Sequence, residues 1–276
     1  MVGLGLIGGS VARAASRAGM DVRAWTPSGR GPRDAVDHGI QAATSLRDAV
    51  ADADLVVLAA PPIASLALVD DLGSTGALPR EAVVTDVVST KVAIVERARD
   101  AGLRFVGGHP LAGRETSGYR AADPDLFRDR PWVIVPPEPA DDDAEARVAT
   151  LVAACGARVV RMTAADHDHA VATISHLPLL LAAALAESAA ADTDWPAARA
   201  LAAGGWASMT RLARGDPDMG AGILATNADE VAARLRALAT TLDGWAADLT
   251  APDAAERLRA RLEAARATVT EEPGEP

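Results

Sequence analysis

Proton chemistry in this chain would fall first to His109, which stands in VGGHPLAGRETSG behind a strand-like segment, with glycines before it and a proline fixing the backbone after it. An imidazole held in such a loop can take up a proton near neutral pH. The plainer reading is a ring nitrogen bonded to a backbone carbonyl in a turn. Ser89 and Lys91 follow another strand-like segment, in TDVVSTK. The Ser89 hydroxyl could bond a histidine or a substrate hydroxyl, or cap a helix, and these roles are compatible. Lys91 is the only lysine in the chain, which directs attention to a local role beside Ser89.

Anion binding is the second chemistry on offer. In GLGLIGGS, Gly3, Gly5 and Gly8 fall at the G-x-G-x-x-G spacing of dinucleotide-binding turns. There Gly3 would allow a tight strand-to-helix turn, Gly5 a close approach of the backbone to a pyrophosphate, and Gly8 close packing of helix on sheet. The phosphate would rest on the N–H groups that open the helix, with Leu6 and Ile7 among the cofactor-binding positions. Only Met1 and Val2 precede Gly3, against about five or six residues in an ordinary strand. The first strand is therefore a stub, or it begins upstream.

These residues need a scaffold, and the hydropathy pattern supplies one. Val11, Ala12, Ala14, Ala15 and Ala18 make a small-residue helix that Gly19 can stop. Strands are expected at Met20–Trp25, Leu55–Ala60, Ala82–Asp86, Arg104–Gly107 and Trp132–Val135, with helices between several of them. This alternation predicts an α/β Rossmann-type domain with a mostly parallel sheet and helices on both faces. Strand ends at Ala60, before Pro61 and Pro62, and at Asp86 should lie on the carboxyl edge, where ligands of such sheets bind. Ala60 and Pro61 join the cofactor-binding set on that ground. After an exposed PPEPADDD loop come a helix near Ala144–Ala154 and a strand-like ARVVRM. From Ala164 the pattern turns to Ala- and Leu-rich helices, so residues 1–163 are read as the dinucleotide-binding domain and 164–276 as an all-α dimerisation and substrate domain. Its first helix is apolar on nearly all sides from Ala170 to Ala186, which predicts burial against a second subunit. The tail EEPGEP is expected to be disordered.

Composition narrows the partners. With 276 residues and 49% hydrophobic residues the chain can build a sizeable core. A net charge of −11 without a Lys/Arg run argues against nucleic acid or an anionic membrane. The lone Cys155 excludes an intrachain disulfide and a cysteine metal cluster, and no metal is expected. A reducing cytoplasm fits. No signal peptide is expected, and apolar runs such as LPLLLAAALA read as too short to span a bilayer.

Taken in order and spacing, GLGLIGGS, DVVSTK, GGHPLAG followed by Glu115 and Ser117-Gly118, and ISHLP at 174–178 resemble the prephenate and arogenate dehydrogenases of tyrosine biosynthesis. The resemblance implies a Rossmann domain joined to a helical dimerisation domain. It implies oxidative decarboxylation of prephenate, or of arogenate, with hydride transfer to NAD(P). By resemblance His109 accepts the proton of the substrate hydroxyl and Ser89 is its partner. His167 and His176, with Ser175, match family positions at the domain junction, though a core histidine is an equal reading of His176. Arg211, in MTRLARGDP, matches an arginine that grips a substrate carboxylate, and Glu115 belongs to the same substrate-binding set. Leu179 stands where many members carry a second histidine, which leaves prephenate and arogenate both open. A β-hydroxyacid-type dehydrogenase is disfavoured because GGHPLAG and ISHLP are not its motifs. A non-catalytic dinucleotide-binding dimer is the alternative of another class, and Ser89, His109 and Arg211 together speak against it.

The dinucleotide is read from the end of the second strand, where NAD-binding units carry a carboxylate for the ribose. Here VRAW runs into Thr26-Pro27-Ser28-Gly29-Arg30 with no acid. Thr26, Ser28 and Arg30 could bind a 2′-phosphate, so NADP is expected before NAD. The plainer reading is a turn beside a solvated arginine.

Overall fold

The computed structural model describes residues 1–113 and 116–270. Two parallel strands, β1 (Val22–Ala24) and β2 (Ile40–Ala42), lie beside a five-stranded sheet in the order β3 (Leu55–Leu58), β4 (Val83–Asp86), β5 (Phe105–Pro110), β6 (Pro131–Val135), β7 (Arg158–Arg161). All pairs are parallel except β5 with β6. Val2 joins the two sheets, forming a parallel bridge to Trp25 on one side and to Leu58 on the other. Its N–H donates to Val57 O at 2.8 Å and its carbonyl accepts from Ala59 N–H at 2.7 Å, while Gly3 N–H donates to Trp25 O at 2.9 Å. Met1 and Val2 thus fill the place of a central strand. The edge strand β2 was not expected from the sequence, since Ile40 is its only buried residue.

Six helices cover the faces: α1 (Leu6–Arg17), α2 (Arg30–Ala35), α3 (Leu46–Val50), α4 (Pro62–Thr75), α5 (Val92–Asp100) and α6 (Asp142–Ala154). Alternate strand residues feed two cores. Val57, Val83, Val106, Trp132 and Ile134 pack with the apolar sides of α1 and α6. Val56, Leu58, Val84 and Phe105 pack with Ala49, Val69, Leu72, Ile94 and Ala98 of α3, α4 and α5. A parallel sheet buried on both faces explains why its strands read as unbroken apolar runs. Cys155 lies in the first core, where burial pushes its thiol up to about 12.

The turn before α1 is set by two close approaches. Gly3 has φ +98°, and a Cβ there would sit 2.4 Å from Ala59 O. A Cβ on Gly8 would sit 2.4 Å from Gly3 O, whereas one on Gly5 would meet nothing within 4 Å.

Beyond β7 the described chain is helical. Thr163 caps α7 (Ala164–Val171) by accepting from Asp166 N–H, and a π turn at Ala172–His176 leads directly into α8 (Leu177–Ala190). Pro178 offers no N–H and its ring crowds the carbonyl four residues back, so widening the turn lets the helix pass through it. The helix runs continuously over Ala164–Ala190, 27 residues, long and apolar enough by length and composition to cross a membrane. The run LPLLLAAALA, read from the sequence as too short to span a bilayer, is thus part of a longer helix. Within α8 only Ala182 is buried. α9 (Trp195–Ala200), α10 (Gly204–Met209), α11 (Pro217–Thr226), α12 (Ala228–Leu249) and α13 (Ala254–Thr270) follow.

By compactness the chain divides at Ala228, and the second unit begins at Asp229. The first unit extends past Thr163, where the secondary structure changes character, because α7 packs on α5 and α11 on α4. In the second unit Asp248 binds Arg257 and Arg261, and the Arg261 guanidinium lies 5.2 Å from the Trp245 ring centroid. The EEPGEP tail lies outside the described residues.

The steric contrast between Gly8 and Gly5 is measurable. We expect Gly8→Ala to lower stability by about 2 kcal/mol or more through overpacking, and Gly5→Ala by less than about 1 kcal/mol, in urea unfolding of the two variants.

Candidate active site

β5 pairs with β4 only at Phe105 and Val106, then continues to Pro110 against β6 alone, with His109 opposite Val133. His109 therefore sits on a strand rather than in a loop after one. At Gly108 the backbone has outrun β4, and side chains replace the missing strand. Asp86 Oδ1 accepts from Gly108 N–H at 3.0 Å, and Lys91 Nζ donates to Gly108 O at 2.6 Å. Lys91 Nζ also donates to Asp86 Oδ2, which accepts from Val88 N–H at 2.9 Å. Both side chains are 0% exposed. Burial pushes the Asp86 carboxyl up and the Lys91 ammonium down, and each ion opposes the shift of the other. A Cβ on Gly108 would lie 2.5 Å from Asp86 O, so this clamp also demands the glycine.

A chain of hydrogen bonds leads inward from His109. Its Nδ1 lies 2.8 Å from His167 Nε2, and the rings meet edge to face with centroids 5.0 Å apart. His167 Nδ1 lies 2.8 Å from Asp168 Oδ1. Asp168 caps α5: its Oδ1 accepts from Lys91 N–H at 2.7 Å and its Oδ2 from Val92 N–H at 2.9 Å. His167 and Asp168 are 1% and 2% exposed, while His109 is half-buried. Burial holds the His109 pKa well below its usual 6.5, with His167, Lys91 and His176 adding to the effect. The ring is neutral at neutral pH, and its Nε2 makes no hydrogen bond among the described residues.

His176, on the π turn, is buried beside this chain. Asn227 Nδ2 lies 2.8 Å from Asp168 O and 3.1 Å from His176 Nδ1. Burial, aided by His167, lowers the His176 pKa to about 4, although Asp168 and the Ser89 backbone pull the other way. Its Nε2 has no partner in hydrogen-bond geometry among the described residues.

Ser89 is half-buried on the bend after β4, and its hydroxyl makes no hydrogen bond among the described residues. His167 bonds the His109 ring at Nδ1, and Asp168 caps α5. Ser175 is exposed on the π turn, and Arg211 is exposed on a 3-10 turn, Arg211–Arg214, that packs on α8. Glu115 lies outside the described residues. Asp86, Asp168 and Asn227 were missed. Asp168 adjoins His167 in the sequence, and Asp86 ends a strand five residues before the sole lysine, so both left a trace; Asn227 left none.

The glycine turn fits a dinucleotide. It opens α1 with no side-chain cap and no acidic residue in the first turn, leaving the N–H groups near Leu6 and Ile7 available. The open space on the Cβ side of Gly5 gives a phosphate room to approach. Ala60 and Pro61 follow β3 on the same edge, with Pro61 at the N-cap of α4 and Ala59 and Ala60 against Gly3. At the end of β1, Thr26 Oγ1 accepts from Gly29 N–H at 3.1 Å and Ser28 Oγ from Arg30 N–H at 3.4 Å, with Gly29 at φ +64°. The turn reading of these hydroxyls is realised, and Arg30 is exposed at the start of α2. No group of His, Cys, Asp and Glu among the described residues could hold a metal ion.

A glycine turn and a neutral imidazole at the carboxyl edge of one mostly parallel sheet, followed by helices, define a Rossmann-type nucleotide-binding protein with a helical extension. The chain belongs to the prephenate dehydrogenase family: residues 12–161 match the model of its nucleotide-binding domain and 163–264 that of its dimerization domain. It is 32% identical over 239 residues to a prephenate dehydrogenase of Bacillus subtilis, an alignment covering 84% of this chain and 64% of that relative. The chain thus corresponds to less than two thirds of that protein's length. In structure it is similar to Synechocystis arogenate dehydrogenase, with a TM-score of 0.80, 30% identity and 98% of each chain covered. It is also similar to Aquifex aeolicus prephenate dehydrogenase in complex with hydroxyphenyl propionate and NAD+, with a TM-score of 0.87, 28% identity, and 98% and 96% covered.

Removing one partner of the buried clamp strands the other. We expect Lys91→Met, which leaves Asp86 without its cation, to lower unfolding free energy by about 3–5 kcal/mol. The pair Asp86→Asn with Lys91→Met should recover part of that loss in the same denaturant titration.

Proposed function

We propose that this chain is a prephenate dehydrogenase, converting prephenate to 4-hydroxyphenylpyruvate and carbon dioxide, with arogenate as the alternative substrate. The observation that carries the reading is the neutral His109, with Nδ1 tied to His167 and Nε2 left to face a ligand. Bound dinucleotide supplies the hydride acceptor for the carbon that bears the 4-hydroxyl. His109 Nε2 takes the proton of that hydroxyl as the carbon–hydrogen bond breaks. Loss of the ring carboxylate as carbon dioxide leaves its electron pair to complete the aromatic ring, and the phenol oxygen recovers a proton. Ser89, whose hydroxyl makes no hydrogen bond among the described residues, is assigned to the same substrate oxygen by its family position. Arg211 is assigned the substrate carboxylate by its family position, with Glu115, Ser175 and His176 completing the expected set, whereas His167 is engaged at both ring nitrogens within the protein.

The glycine turn would hold the pyrophosphate on the leading N–H groups of α1. We infer NADP before NAD, because the Thr26–Arg30 turn has no carboxylate to repel a 2′-phosphate and Arg30 is exposed beside it. The chain acts as a homodimer through its helical part, residues 164–276. The name of the matched domain and the apolar, little-buried α8 support this. The cytoplasm is the compartment that suits a free buried thiol and a small-molecule substrate.

Spectrophotometric assay of cofactor reduction with prephenate and with arogenate tests the reading; no turnover with either substrate and either dinucleotide overturns it. His109→Asn should lower kcat by about 100-fold or more with dinucleotide affinity intact. Because the base works unprotonated and its pKa is held below 6.5, activity should persist as pH falls to 6.5 and be lost only below it. An acid limb of kcat/KM above pH 6.5 would contradict this. Arg30→Ala should reduce kcat/KM for NADP more than for NAD, and a strong native preference for NAD would reverse the cofactor assignment.

A further inference from the structure

We infer that His167 and Asp168 are positioning residues that decide which nitrogen of His109 carries the proton, rather than substrate ligands. The N–H groups of Lys91 and Val92 can only donate, and they claim both oxygens of Asp168 at 2.7 and 2.9 Å. The carboxyl is therefore an acceptor, and His167 Nδ1, 2.8 Å from Oδ1, must bear the proton between them. A neutral imidazole has one N–H, so His167 Nε2 holds a lone pair. His109 Nδ1, 2.8 Å away, then donates to it. The consequence reaches the outer edge of the site: His109 Nε2 is left with a lone pair toward the ligand. When His109 gains a proton there, its Nδ1–H bond to His167 becomes charge-assisted, and the Asp168 carboxylate stands behind it. Asn227, which donates to the Asp168 carbonyl at 2.8 Å, holds the inner end of the chain in place.

The same geometry bars His167 from substrate. Its two ring nitrogens are both engaged within the protein, and the residue is 1% exposed. It matches a family position expected to bind substrate, yet it has no free polar atom to offer.

The catalytic part of this inference rests on the dehydrogenase reading, whereas the proton placement does not. Long-range 1H–15N correlation spectra of the ligand-free protein should show His109 protonated at Nδ1 and unprotonated at Nε2. In Asp168→Asn the carboxylate charge is lost and the NH2 must face one of the two backbone N–H groups, so the hold on His167 Nδ1–H and on a protonated His109 is weakened. That variant should lose about 100-fold or more in kcat with little change in KM or dinucleotide affinity. His167→Gln retains an oxygen acceptor for His109 Nδ1–H and should keep the wild-type proton placement and more activity than His167→Leu. A His109 proton on Nε2 in the wild-type protein overturns the inference. So does a raised KM with unchanged kcat in the His167 variants, which would make His167 a substrate ligand. If Asp168→Asn loses the fold along with the α5 cap, the two His167 variants decide the matter. If the wild type oxidises neither substrate, the spectra still decide it and only the dehydrogenase reading falls.

Discussion

The site depends on a buried ion pair. Lys91 and Asp86 are both withdrawn from water, and such a pair is a poor source of net stability, because desolvation costs several kcal/mol per ion and the mutual attraction does little more than offset it. Its value lies in geometry. β4 ends at Asp86 while β5 runs on to Pro110, and the two side chains supply the donor and acceptor that a further strand residue would have supplied. The backbone at Gly108 is held on one side by β6 and on the other by these ions. His109, one residue on, is thereby carried past the carboxyl edge on a fixed strand, where a catalytic group keeps its aim better than on a loop.

A second constraint couples this edge to the helices. Asp168 leaves α7 to cap α5, whose N-terminus follows Lys91 directly. The dipole and the unpaired N–H groups at the start of α5 favour a carboxylate there, so a residue of the helical segment completes a helix of the sheet domain. The same carboxylate orients His167. This explains why the compact unit continues to Ala228 although the family models meet just before Thr163. The parts match separate family models and differ in secondary structure, yet the hydrogen bonds that build the site cross between them. α8 follows the opposite logic. It is apolar and largely unburied within the chain, a surface that water does not favour and a second copy would cover.

What the sequence determined by itself was whatever depends on local pattern. The apolar runs of β3, β4 and β6, the glycines at 3, 5 and 8, the stop at Gly19 and the change at Thr163 all follow from periodicity, backbone freedom and capping, which act within a few residues. His109 and the glycine turn could be picked out as chemistry for the same reason. Tertiary structure alone decided the pairings that span many residues: Val2 serving as a central strand because Trp25 and Leu58 flank it, β5 extending through Gly107 and Gly108 because β6 returns beside it, and His167 reaching His109. Charge placement was also a tertiary decision. The single lysine draws attention in the sequence, but only the fold shows it buried against Asp86, because whether an ion leaves water depends on how the surrounding strands and helices close over it.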